Sequence, residues 1–138
     1  MGTREQLNAY LEEVRDKPFV WGKHDCLIFT NNAYKAMYGR GWADDWLDRY
    51  MDGSRVKRRS ELRKEYKHST LIPAIDKKMK RIDCVPPLGA LIASDLEIRF
   101  AIGYVLGISL GSKACYLGKD GLAFTPLETV TYSWVYDG

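Results

Sequence analysis

Two adjacent prolines, Pro86 and Pro87, divide the chain into stretches of different hydrophobic rhythm. Upstream, apolar residues recur every three or four positions, the period of a helix with one buried face. Downstream they fall into short runs separated by glycines and turn residues, the signature of strands. Helices first and strands second predict an α+β domain, in which helices pack on an antiparallel sheet. With 138 residues the chain fits one domain spanning 1–138, large enough for a real core. The helical part is expected over about 1–82 and the β part over about 86–138.

The first helix is expected over about 4–15: Thr3 and Gln6 form a capping-box pattern, and Leu7, Tyr10, Leu11 and Val14 share one face. Pro18 ends it, and 19–22 is extended or looped. Asp25 suits the N-cap of a second helix whose face carries Cys26, Phe29, Thr30, Ala33 and Met37, and Gly39 suits its C′ position. Residues 41–50, with Trp42, Trp46 and Tyr50, read as a short aromatic helix or turn, and further helices are expected at about 58–67 and 70–80. Strands are expected within 88–93, 100–110, 114–117, 122–126 and 132–136.

Composition limits the chemistry. The hydrophobic fraction of 46% excludes disorder, and no apolar run reaches the roughly 18 residues of a membrane span, so a soluble protein is expected. The polar first residues resemble neither a signal nor a transit peptide, which places the protein in a cytoplasm. Three cysteines without a CxxC pair, and two histidines far apart, predict reduced thiols, no metal and no cofactor. Residues 55–81 carry eleven Lys/Arg against three acids, while the whole chain is only +3, so one segment holds the basic character. Such a segment reads as a solvated helix face or as a polyanion-binding, including nucleic-acid-binding, module; the absence of interleaved aromatics favours the former.

Cys26 is the residue with chemical potential. A thiol in the first turn of a helix sits where free N–H groups and the helix dipole favour the thiolate. Amide cleavage would also need a base, normally a histidine held by a third polar group. As a packing residue, Cys26 would be a small buried hydrophobe. Cys84 and Cys115 read as packing residues, and His68 as a solvated one.

The run "FVWGKHDCLIFTNNAYKAMYG" resembles the NlpC-type, papain-like cell-wall peptidases, in which an aromatic-Trp-Gly loop leads to Asp-Cys at the start of a helix. "YVLGISLG" resembles that family's Gly-Ile strand, and "GLAFTPLETVTYSWVYDG" resembles the ending of a phage tail-associated branch. The resemblance implies a papain-like fold with a barrel-like sheet, cleavage of murein stem peptides, and other tail-tip or hub proteins as partners. It also implies a location in the host cytoplasm during assembly and then in the virion tail. Carried over, Cys26 matches the nucleophile and Asp25 the acid that can hold a substrate amine. The catalytic histidine's position is Val105, and valine accepts no proton. Phe19 and Ala90 likewise replace an active-member tyrosine and aspartate. The expectation is therefore a lapsed peptidase kept as a structural tail part, with an active peptidase using His24 as base the alternative. Trp21, Trp42 and Trp46 are candidate groove or partner-binding aromatics, with core packing as the alternative for each.

Overall fold

The computed structural model describes residues 3–20, 23–46, 51–52, 55–56, 71–94, 105–118 and 121–135. The helix expected at 58–67, most of the basic segment, and Trp21, Tyr50 and His68 lie outside the described residues. Helix α1 spans Thr3–Val14 and buries Leu7, Leu11 and Val14, the stripe its spacing predicts. The Gln6 side-chain amide lies 3.3 Å from the carbonyls of both Ala36 and Met37. Those carbonyls end helix α2, Cys26–Tyr38. Both of its caps form as expected. Asp25 is extended (φ −113°) and its carboxylate accepts the Ile28 N–H at 3.0 Å, while Gly39 takes the left-handed conformation (φ +86°) and donates to the Lys35 carbonyl. The two helices are joined where Tyr10 stacks on Phe29 at 6.0 Å and donates its hydroxyl to the Phe29 carbonyl.

The aromatic stretch after α2 is a turn with one 3-10 segment, Asp44–Trp46. Buried Asn31 shapes it, donating to Asp44 and accepting from the Ala43 N–H. Trp42 and Trp46 meet edge to face at 5.4 Å, and Trp42 donates to the Thr30 hydroxyl at 3.0 Å. A small hairpin pairs β1 (Met51–Asp52) with β2 (Arg55–Val56). Helix α3 covers only Leu71–Asp76. The expected continuation to 80 is replaced by a turn and by strand β3, Lys80–Ile82, so the β part begins before the two prolines. Pairing with β8 (Tyr132–Val135) outweighs the helical pattern of this run, a case of tertiary context overriding local propensity.

The remaining strands are β4 (Leu91–Ser94), β5 (Val105–Ser109), β6 (Ala114–Gly118) and β7 (Gly121–Thr125). All six pair antiparallel in the order β3-β8-β4-β5-β6-β7. The sheet is open: β3 and β7 are its edges, so the barrel-like expectation fails as far as closure goes. Register and pleat send Leu91, Ala93, Leu106, Ile108, Cys115, Leu117 and Trp134 to one face. From that face Trp134 donates to Asp76 of α3 at 2.9 Å, which identifies it as the side covered by helices. The opposite face carries Ile92, Ser94, Val105, Gly107, Ser109, Tyr116 and Ser133, also buried. Two connecting segments cover it: the Ser109 hydroxyl donates to the Pro86 carbonyl at 3.0 Å, and Tyr116 hydrogen-bonds Thr129. At the β7 edge the Leu122 N–H donates to the Arg15 carbonyl just beyond α1, at 3.0 Å. An edge amide that would otherwise invite another strand is thereby occupied.

Gly107 makes the curl of this sheet possible. Tyr116 lies across it to hydrogen-bond Ser94, two strands away. A Cβ at Gly107 would come 2.4 Å from the Cys115 carbonyl oxygen and 2.5 Å from the Tyr116 ring. Gly107→Ala is therefore expected to destabilise the fold by about 2–3 kcal/mol, because backbone as well as side chain must move. Urea titration checks it; a midpoint equal to wild type would mean that the ring can vacate the site freely.

Candidate functional site

The loop entering α2 is tightly closed: Val20 and His24 exchange backbone hydrogen bonds of 2.9 and 2.8 Å, and Lys23 donates to the Val20 carbonyl. It delivers Asp25 to the N-cap and Cys26 to the first helical turn, as the sequence predicts. Trp21 lies outside the described residues.

Two effects compete at the Cys26 sulfur. The helix N-terminus favours a thiolate by about 0.3–1 kcal/mol, less than one pKa unit. Burial opposes it and can raise a pKa by about 3–5 units. Burial wins: the residue is 1% exposed and its pKa is pushed up to about 12. A backbone hydrogen bond from Leu106 acts in the other direction, and the Asp25 charge adds to the rise. The site thus holds a neutral thiol.

The Leu106 contact places the sulfur against β5, one residue past Val105. Val105 itself, the position that the sequence resemblance pairs with Cys26, is a buried hydrocarbon, 2% exposed, and its side chain takes the sheet face opposite to that of Leu106. Asp25 is fully buried as the N-cap. His24 is half-buried and meets Phe29 edge-on at 6.4 Å. Its Nε2 is buried with no hydrogen-bond partner among the described residues. Burial, followed by the nearby Lys17 charge, lowers its pKa, with Asp25 acting against them. The imidazole is therefore neutral at neutral pH.

Trp42 and Trp46 are buried behind α2, 4% and 7% exposed, and do not offer a surface patch: the core alternative describes them. Both serve the site indirectly. Thr30 accepts from Trp42 and donates to the Cys26 and Leu27 carbonyls, so the indole fixes the first turn that carries the thiol. Phe19 packs partly buried against the core, and Ala90 is buried. Cys115 is buried with its pKa also raised to about 12, as a packing residue should be. Cys84 is exposed, which corrects the packing expectation; it follows β3 in a bend that the sequence pattern does not disclose.

A feature without a sequence signal is a groove of about 930 Å3 lined by 81–86, 127–128 and 130–133 with Ser112. Its walls come from two turn segments far apart in the chain, so no local pattern marks it. Among the described residues no group of three or more His, Cys, Asp or Glu could hold a metal ion, and no helix is long and apolar enough to cross a membrane.

Comparison with curated proteins returns no match, and comparison with solved structures returns none either. Comparison with protein-family models gives one family, described as a domain of unknown function (DUF6950), matched over residues 2–136. A match across nearly the whole chain is membership: this protein belongs to the DUF6950 family.

Proposed function

We propose that this protein is a catalytically lapsed relative of the NlpC-type, papain-like peptidases, retained as a structural or assembly component of a phage tail tip. The observation that carries the reading is the pairing of Cys26 with β5. A cysteine begins a helix, as a nucleophile would, and lies against Leu106 of β5, yet the residue where the resemblance would put a base, Val105, is a buried hydrocarbon on the sheet's other face, and the thiol is neutral and buried. Thiolate chemistry on an amide needs an ionised or ionisable sulfur and a proton acceptor; this pair supplies neither. The α+β order, with helices on an antiparallel sheet, is compatible with such an ancestry. The phage setting rests on the resemblance of the C-terminal strands alone. Partner tail proteins, rather than stem peptides, are then what its surfaces serve.

A murein and stem-peptide hydrolysis assay on wild type and Cys26→Ala tests the loss of chemistry. No cleavage above background in either protein is the expected result. Cleavage by wild type that disappears in the variant would establish an active peptidase, with His24 the first candidate for the base, and would end the lapsed reading.

A further inference from the structure

His24 stands one residue before the N-cap Asp25, and Phe29 is the fourth residue of α2. Side chains at these two positions form a hydrophobic staple, the contact that sets the angle at which a chain enters its helix. Here an imidazole makes the staple: its ring meets Phe29 edge-on at 6.4 Å. On the backbone, Val20 and His24 bond each other in both directions, at 2.9 and 2.8 Å, and close the loop between them. Ring contact and backbone pair thus fasten the same five residues, 20–24, to the start of α2.

A staple built from a titratable ring differs from one built from leucine, because it is apolar only while the ring is neutral. The Nε2 atom is buried with no hydrogen-bond partner among the described residues. A neutral imidazole can leave that nitrogen free of hydrogen, whereas an imidazolium carries an N–H on both nitrogens and would bury one of them unpaired. Among the described residues two charges act on the ring: Lys17, in the turn after α1, repels the cation, and the N-cap Asp25 attracts it. From α2 itself the ring meets the uncharged Phe29 and the positive end of the helix dipole. Burial and Lys17 outweigh Asp25, so the closed loop holds the imidazole below its ordinary value of 6.5. An opened loop would release the ring to that ordinary value; the open form then binds more protons than the closed one, and acid drives opening. We infer that His24 makes residues 20–24 an acid-released latch on the start of α2, closed at neutral pH and opened when the imidazole takes up a proton. Release is local, because the Gly39 cap and the buried face of α2, with Cys26, Phe29 and Ala33, do not depend on the loop. The inference does not depend on whether Cys26 is chemically active.

Amide hydrogen exchange followed by NMR from about pH 7.5 to about pH 4.5, corrected for the intrinsic pH dependence of exchange, tests this in the unmodified protein. The Val20 and His24 amides, which make the closing bonds, should lose protection as the pH falls below about 6.5, by up to about ten-fold per pH unit. The Phe29 amide, bonded to the Asp25 carbonyl at 2.8 Å, should keep its protection over the same range. The His24 C2–H resonance should titrate below 6.5, and the loss of protection should level off near its midpoint. His24→Phe keeps an aromatic ring at the staple and removes the titration, so protection at Val20 should then stay flat across the range. The comparison of Val20 with Phe29 in wild type needs no variant and stands even if the substitution impairs folding. Protection at Val20 that is independent of pH, a His24 midpoint at or above 6.5, an equal acid loss in a folded His24→Phe protein, or a parallel loss at Phe29 would each overturn the inference.

Discussion

Iodoacetamide at about pH 7.5 is expected to modify Cys84 quickly and to leave Cys26 and Cys115 unmodified over the same time, because only the first thiol is exposed. The gap is large. With its pKa at about 12, Cys26 has a thiolate population roughly three orders of magnitude below that of a free cysteine, and steric exclusion adds to this. The pH dependence follows in sign. The folded protein holds the Cys26 and Cys115 protons across a window, from the free-cysteine value of about 8.5 up to about 12, in which the unfolded chain has released them. Stability must therefore fall as pH rises through that window, and labelling of the buried thiols should rise with it. In denaturant all three should react alike. Mass spectrometry of the labelled peptides reads every part of this. Modification of Cys26 as fast as Cys84 in the folded protein would restore the case for a nucleophile.

Replacement of Trp134 by alanine should cost about 4 kcal/mol, the usual size of a large aromatic deletion from a core. Trp134 is fully buried, sits on the β8 strand between β3 and β4, and faces the helices. Its indole N–H also holds Asp76 at 2.9 Å, and without it that carboxylate keeps, among the described residues, the ion pair with Arg81 at 3.5 Å. Because natural domains have about 5–15 kcal/mol in total, the variant should lose much of its cooperative transition. Trp134→Phe retains most of the packing and loses the hydrogen bond, so about 1–2 kcal/mol is expected. Chemical unfolding followed by circular dichroism separates the two; an alanine variant within about 1 kcal/mol of wild type would be incompatible with the packing described.

What could be read from the sequence was the part written in local chemistry. Asp25 and Gly39 bracket α2 because capping is decided within one turn of chain. The five strands after Pro87 were legible because their apolar runs are separated by glycines and turns, although the strand bounds differ from those of the runs. Strand β3 was not legible: Lys80 and Arg81 belong to a basic run that imitates an exposed helix, and they form an edge strand only because β8 lies beside them. The location of Cys26 at a helix start was read correctly, while its protonation state was not available, since burial depends on Leu106 and its strand, far along the chain. Likewise the two-sided spacing of Trp42 and Trp46 fits a surface or a core, and Asn31 and Thr30 settle it by hydrogen bonds no pattern reveals. The openness of the sheet is a property of its two edges, and neither edge carries a sequence mark.

The bond from the Leu122 amide to the Arg15 carbonyl ties an early position of the chain to a late one. A nascent polypeptide can wind α1 and α2 as they emerge, but nothing can seal that margin of the sheet until β7 has been synthesised. The first helix must wait for nearly the last strand, so loop closure over most of the molecule is part of the barrier to folding. Such a protein acquires its protected form late and in one step, and its vulnerable period is the time spent on the ribosome.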